Sequence, residues 1–99
     1  MKVSIDLQEG FSNDEVTIFE KDKKIYQAEN VKTRTQIGLA ASFATELTGK
    51  KTTLRMVVPS RRIDEKKEIE PTENLHIAVS VTEENKLEWK LSEAPFMYM

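Results

Sequence analysis

Residues 75–91 read LHIAVSVTEENKLEWKL, and this stretch decides the fold class. Apolar residues occupy every second position from Leu75 to Val81, a polar turn follows at Glu83–Asn85, and the alternation resumes at Leu87. Because successive side chains of a β-strand point to opposite faces, this period of two predicts two strands with one buried face each. The short polar turn between them predicts an antiparallel hairpin lying on a hydrophobic core.

The same alternation occurs in the first third of the chain. Residues 2–7 and 15–20 alternate, with Gly10 and the polar residues 12–14 between them. A second polar turn at residues 21–23 leads into another alternating stretch. Glycine, serine, asparagine and aspartate are typical of turns, so we expect short strands joined by tight connections.

Residues 35–51 fit two structures. A helix capped by Thr35 and ended by Gly49 would place on one face Ile37, Ala40, Ala41, Ala44 and Leu47. A strand would place on one face Ile37, Leu39, Ala41, Phe43 and Leu47, with residues 48–51 as a hairpin turn. The alanines favour the helix, whereas the strands predicted on either side favour a strand. We expect a strand, with a helix over Thr35–Thr48 as the alternative.

The most highly charged stretch lies between Pro59 and Pro71, where residues 60–70 read SRRIDEKKEIE. Proline cannot donate to a β ladder, so we expect the strand before it to end at Pro59. We then predict a loop followed by a short edge strand around Ile69, because charged residues on an edge block aggregation. A single helical turn is the alternative, since Arg61 and Glu65 stand four residues apart.

Together these patterns predict an all-β protein. We expect one domain over residues 1–99, built as a single antiparallel β-sandwich of seven or eight short strands. No internal repeat, low-complexity segment or linker divides the sequence.

The order of features between Val16 and Val58 carries a resemblance. A strand, the turn at residues 21–23, a second strand, a long segment and Leu-Thr-Gly precede the strand that ends at Val58. This order resembles the prealbumin-like and immunoglobulin-like sandwiches of many accessory modules. The resemblance covers less than half of the chain, and the Cys–Trp–Cys framework of immunoglobulin domains is absent. It implies a sandwich topology and carries no function.

Composition restricts the chemistry. The chain has 99 residues, no cysteine, one histidine and a net charge of −2. Thiol catalysis, disulfides and cysteine-bound metals are excluded, and one histidine cannot form a His-pair site. We therefore expect no metal and no cofactor. A slightly acidic chain has no net positive field, so we expect neither nucleic acid nor a membrane as partner.

The hydropathy pattern bears on location. Residues 1–7 alternate instead of forming the apolar run of a signal peptide. The longest uncharged stretch, residues 35–45, is far shorter than the roughly 20 apolar residues that span a bilayer. We expect a cytoplasmic protein.

His76 is the starting point for any acid–base chemistry, because histidine titrates near neutral pH. Ser80 is on the same strand face, but a Ser–His nucleophile also needs an orienting carboxylate and an oxyanion hole. The chain has three glycines and no glycine-rich motif. We predict no catalytic residue and a protein that is not an enzyme.

All four arginines lie between positions 34 and 62. Guanidinium groups bind carboxylates and phosphates, so the candidate residues for a small polar, anionic or sugar ligand are Arg55, Arg61, Arg62 and Tyr26. The alternative is a solvated loop in which the arginines pair with Asp64, Glu65 and Glu68.

Four bulky residues end the sequence: Phe96, Met97, Tyr98 and Met99. Such a tail is unfavourable in water, so it either folds back or docks on a partner. We expect the tail to fold back onto the sandwich; the alternative is that these four residues bind a protein partner or a second copy. The function that follows is a small protein-binding or assembly module, with a module for a small ligand as the alternative.

Overall fold

A computed structural model describes residues 1–34 and 36–96. Within these residues the chain forms eight strands: β1 (Lys2–Leu7), β2 (Asp14–Glu20), β3 (Lys23–Val31), β4 (Ala41–Glu46), β5 (Thr52–Val58), β6 (Ile63–Ile69), β7 (His76–Val81) and β8 (Leu87–Ser92). One turn of 3₁₀-helix, Pro59–Arg61, joins β5 to β6.

The strands form two packed four-stranded sheets. The first sheet has the order β4-β1-β7-β8, and the second has the order β3-β2-β5-β6. The prediction of an all-β sandwich with seven or eight strands is confirmed. One pair differs from the antiparallel expectation, because β1 and β7 run parallel at the centre of the first sheet. A parallel pair needs a long crossover, and here the whole second sheet lies between the two strands in the chain.

The alternating residues form one shared core between the sheets. In β1, β2 and β5 every second side chain is buried, as the period of two predicts. The buried cluster includes Ile5, Ile18, Leu54, Met56, Ile77 and Val79. Trp89 packs against the core and is partly buried. Leu91, expected on the same buried face, is 44% exposed because β8 is an edge strand.

The structure contradicts the alternative of a helix over Thr35–Thr48. Residues 41–46 form β4, which pairs with β1 in unbroken antiparallel register from Lys2↔Glu46 to Leu7↔Ala41. This pairing places Ala41 and Phe43 partly buried against the core, and it overrides the helix propensity of the alanines. The alternative of a helix is wrong; Thr35, its proposed cap, lies outside the described residues.

Residues 48–51 form a crossover and not the expected hairpin turn, because β4 and β5 belong to different sheets. The buried Glu20 holds this crossover in place. Its carboxylate accepts hydrogen bonds from the Thr48 amide at 3.1 Å and the Thr52 hydroxyl at 3.0 Å.

The charged stretch forms a longer strand than predicted. β6 begins at Ile63, directly after Arg62 turns the chain with a φ of 56°. It pairs with β5 along its whole length. The loop expected before Ile69 is therefore a strand, because β5 offers a complete backbone partner. The predicted position at an edge is correct.

The strand order distinguishes the two sandwich types that the sequence resembles. In an immunoglobulin-like sandwich the first and second strands share a sheet. Here β1 and β2 lie in different sheets. The order is therefore not the immunoglobulin one, and the prealbumin-like arrangement is the remaining alternative of the two.

No part of residues 1–34 and 36–96 forms a helix with the length and apolar character needed to cross a membrane.

The loop between β1 and β2 depends on a close backbone approach at Gly10. Its φ is +89°, and a Cβ added there would lie 2.0 Å from the carbonyl oxygen of Val81. Gly49 has a similar φ of +79°, but the nearest atom to an added Cβ would be 3.7 Å away. The two glycines thus share a backbone conformation and differ in the space around them.

We expect Gly10→Ala to destabilise the protein much more than Gly49→Ala. Both changes place a side chain in a left-handed conformation, which costs about 1–2 kcal/mol. Only Gly10→Ala adds a clash with backbone, which costs roughly 1–3 kcal/mol more. Urea unfolding of both variants measures the difference in stability. Equal losses of stability in the two variants would contradict the close approach of Gly10 to the Val81 carbonyl.

Candidate functional site

The four strand edges of the sandwich are its most distinctive surface. β4 and β8 border the first sheet, and β3 and β6 border the second. An edge strand exposes backbone N–H and C=O groups that can pair with another chain. Natural proteins close such edges with charges, bulges or covering groups. The edges of this protein differ in this respect.

The β6 edge is closed by charge. Five consecutive charged residues, Asp64–Glu68, occupy the middle of the strand. A strand that approached this edge would have to desolvate these side chains or place its own charges opposite them. The β6 edge is therefore a poor surface for pairing.

At the start of the β8 edge, a side chain from the other sheet takes the first outward amide. The backbone amide of Thr82 donates to the carbonyl of Lys86 across the hairpin. Because orientation alternates along a strand, the amide of Leu87, the residue after Lys86, points away from β7. Glu65 of β6 accepts that outward amide at 2.9 Å. Glu88 and Lys90 add an ion pair of 3.6 Å on the same strand.

The β3 edge is irregular. Its register with β2 shifts twice, between Asp14 and Val16 and between Ile18 and Phe19. Asn30 has a positive φ of 56°. Lys23 adds charge at the start of the strand. Bulges twist an edge away from a flat partner, so β3 cannot offer a regular ladder.

The β4 edge has none of these protections. Its register with β1 is continuous, and residues 41–45 carry no charge, no proline and no bulge. Met1 and Leu47 exchange both backbone bonds, at 2.7 and 2.8 Å. In an antiparallel ladder the orientation alternates, so the outward N–H and C=O groups belong to Ser42, Ala44 and Glu46. Within the described chain, no other segment bonds to these outward groups.

Packing against the second sheet holds β4 in an extended conformation. The ring of Phe43 stacks on Tyr26 of β3, with centroids 4.1 Å apart and planes 7° from parallel. Burial beside Phe43 raises the pKa of the Tyr26 hydroxyl. On the outer face, the hydroxyl of Ser42 donates to Asp6 of β1 at 2.6 Å. β4 is therefore held in place on both faces, while its outward backbone groups have no shown partner among residues 1–34 and 36–96.

The structure places Arg55 on the outer face of the second sheet. Its guanidinium donates to both carboxylate oxygens of Asp64, at 2.7 and 2.6 Å, and lies 5.6 Å from the ring centre of Phe19. The hydrogen bond from Arg55 lowers the pKa of Asp64, and the same bond raises the pKa of Arg55. The charge of Arg55 is thus matched within the chain.

Arg61 lies at one end of the sandwich, on Asp14. The Asp14 carboxylate is buried and accepts from the Ser60 hydroxyl, the Ser12 amide and Nε of Arg61, at 2.6, 2.8 and 3.1 Å. Nη2 of Arg61 reaches the Gly10 carbonyl at 2.8 Å, and Nη1 reaches Asn85. Arg61 therefore joins the β1–β2 loop, the 3₁₀ turn and the β7–β8 turn.

The structure does not bring the four predicted ligand-binding residues together. Arg55 binds Asp64 on a sheet face, and Arg61 binds Asp14 at the end of the sandwich. Arg62 is exposed in the turn before β6. Tyr26 lies against β4, beside an open groove lined also by Lys32 and Arg34.

The predicted partner-binding tail falls mostly outside the described residues. Phe96 is partly buried after β8, and Met97, Tyr98 and Met99 are beyond the described part of the chain. His76 is partly buried in β7, between Ser4 and Ser92 in register. Over residues 1–34 and 36–96 no group of three or more His, Asp or Glu side chains could hold a metal ion.

No known protein family matches the chain, and no curated protein matches it in sequence.

The sequence predicted an edge strand, the Pro59–Pro71 loop or the C-terminal tail as the contact surface, but it did not identify β4 as that edge. The signal was present in residues 41–45, ASFAT, which are uncharged in a chain with 32% charged residues. However, an uncharged strand is ordinary at the centre of a sheet. Its meaning here depends on the edge position, which only the strand order supplies.

The Asp14 cluster predicts a pH-dependent contribution to stability. Burial raises the pKa of Asp14, but hydrogen bonds from Ser12, Ser60 and Arg61 outweigh burial, and the net pKa is below the ordinary 3.8. A lowered pKa in the folded state stabilises the protein above the unfolded pKa. That contribution is lost as the pH falls from 3.8 through the folded value.

We expect Asp14→Asn to cost about 2 kcal/mol at pH 7, because it removes charge-assisted hydrogen bonds. The difference in the free energy of unfolding between the natural chain and the variant should decrease as the pH falls below 4. Urea unfolding at several pH values measures this difference. Asp64→Asn is the matched control; it breaks an exposed pair and should change stability little. A gap that stays constant with pH would contradict the role of Asp14.

Proposed function

We propose that this protein is a small, non-catalytic binding or assembly module that acts by accepting a β-strand at the β4 edge. The observation that carries the proposal is the contrast between the edges. β6 is charged, β8 is capped by Glu65, and β3 is irregular. Among the edge strands of the described residues, β4 alone combines an unbroken register with an uncharged centre.

Strand addition fits the chemistry of this edge. In such complexes the backbone hydrogen bonds supply affinity, and side chains on alternate positions supply specificity. The outward backbone groups of Ser42, Ala44 and Glu46 would form the new ladder. Ser42 and Ala44 are small and exposed, so they do not obstruct an incoming strand.

The stacked pair below the strand supports the same function. Tyr26 and Phe43 fix the inner face of β4 against β3, so the edge loses little conformational entropy when a partner binds. A preorganised edge binds more tightly than a flexible one with the same groups.

We propose a cytoplasmic location and a protein partner. The absence of cysteine fits a reducing compartment, where disulfides do not form. The alternative function, binding a small polar, anionic or sugar ligand, has weaker support. Arg55 and Arg61 already bind carboxylates of this chain. Tyr26 is in β3 and Arg62 directly precedes β6, at the opposite edge of the second sheet.

A short capped peptide of alternating threonine and valine tests the proposal. Added to the isotope-labelled protein, it should shift the amide signals of Ser42, Ala44 and Glu46 in NMR spectra. Signals of Asp64–Glu68 on the closed β6 edge should not move. Because threonine and valine favour extended structure, the peptide needs no special sequence to form a ladder.

Ala44→Pro provides the control. The amide of Ala44 points away from β1, so proline there removes a donor to the partner and none of the ladder within the sheet. We expect the peptide shifts to disappear in this variant while the rest of the spectrum is retained. Shifts centred on β6 or β8, or no shift at millimolar peptide in a chain that sediments as a monomer, would contradict strand addition at β4.

A further inference from the structure

We propose that the strand which pairs with β4 is β4 of a second copy, in an antiparallel pair about a two-fold axis at Ala44. This inference rests on the proposed function and names its partner. The product is a dimer in which the first sheets of two copies join into one continuous sheet.

The state of the other edges favours a closed dimer. If β4 of one copy paired with β8 of the next, each addition would expose another β4 edge, and the contact would grow into an open filament. Glu65 occupies the outward amide of Leu87, and Glu88 and Lys90 place charges on the same strand, so a strand that paired with β8 would have to displace Glu65 and accommodate these charges. Pairing of β4 with itself uses the same edge on both copies and closes after two.

The charges of β4 suit self-pairing in one register. With Ala44 opposite Ala44, residues 41–47 are fully paired, and each Glu46 stands opposite Ser42 of the other copy. The two Glu46 carboxylates are then at opposite ends of the pair, so no like charges face each other. A register centred on Phe43 would instead place Glu46 opposite Ala40, where the chain bends and the strand has ended.

The backbone groups match the same register. Ser42, Ala44 and Glu46 carry the outward N–H and C=O groups, and all three occupy hydrogen-bonded positions when Ala44 faces Ala44. Ala44 has no side chain beyond Cβ, so the two strands can approach to the normal ladder spacing. The bulges and lysines of β3 keep the second sheets from joining in the same way.

Sedimentation across a range of concentrations tests the dimer. We expect the natural chain to dimerise, and Ala44→Pro and Ala44→Lys to raise the dissociation constant at least about tenfold. Gln27→Lys is the control, because it adds the same charge at an exposed position of β3. The lysine variant keeps the test valid if the proline variant fails to fold.

Cross-linking tests the register, and the natural chain contains no cysteine that would interfere. Opposed residues in a hydrogen-bonded pair have Cα atoms about 5.5 Å apart, within the range of a disulfide. We therefore expect Ala44→Cys to form a covalent dimer on mild oxidation and Gln27→Cys to remain monomeric.

A chain that stays monomeric at all concentrations, or equal cross-linking of the two cysteine variants, would overturn self-pairing. A dimer that survives both Ala44→Pro and Ala44→Lys would also overturn it, because its interface would lie elsewhere. If the threonine–valine peptide still binds β4 in the monomeric case, strand addition stands and only the second copy is wrong as the partner. If the chain neither dimerises nor binds the peptide at β4, both self-pairing and strand addition are wrong.

Discussion

An open β-sandwich must leave the backbone groups of its edge strands without partners inside the sheet, and this constraint governs the surface of the protein. Unpaired N–H and C=O groups need water, a side chain or another strand. The two sheets have the edges β4, β8, β3 and β6. Three of these carry charge, a side-chain cap or bulges, and the fourth, β4, combines a continuous register with an uncharged stretch at residues 41–45. The functional proposal depends on that difference.

The charged residues of the chain serve the fold in two ways. On the second sheet and its edge they form exposed pairs such as Arg55–Asp64, which contribute little to stability. At the end of the sandwich, Asp14 and Arg61 form a partly buried cluster that ties together segments far apart in sequence. The carboxylate of Asp14 has several donors, so burial is compensated by hydrogen bonds. Arg55 and Arg61, two of the arginines proposed to bind an external anion, are thus already paired with carboxylates of this chain.

The first sheet links this architecture to function. β1 lies between β4 and β7, so β4, the strand proposed to accept a partner, pairs directly with a central strand of its sheet. The inner side of β4 is fixed by Phe43 and Tyr26, and its outer side is fixed by Ser42 and Asp6. The outward backbone groups of β4 are therefore presented on an ordered scaffold, which is the condition for efficient strand addition.

The alternation in residues 2–7, 15–20 and 75–91 was sufficient to predict strands, their buried faces and an all-β sandwich, because a period of two has one structural meaning. The Pro59 boundary was also predictable, since proline lacks the donor that a ladder requires. The alanine-rich stretch at residues 40–44 and the full length of β6 were not decided by local pattern. Their backbone partners, β1 and β5, come from distant parts of the sequence.

The amino-acid sequence by itself determined which side chains face the core, because burial follows the pleat of each strand. It also determined that cysteine chemistry and His-pair metal sites are absent, because composition alone excludes them. Only the tertiary structure decided which strands are at the edges, that Arg61 meets Asp14, and that Glu65 caps the start of β8. These contacts join residues separated by 22 to 47 positions, and no local pattern records which distant backbone or carboxylate a residue will meet.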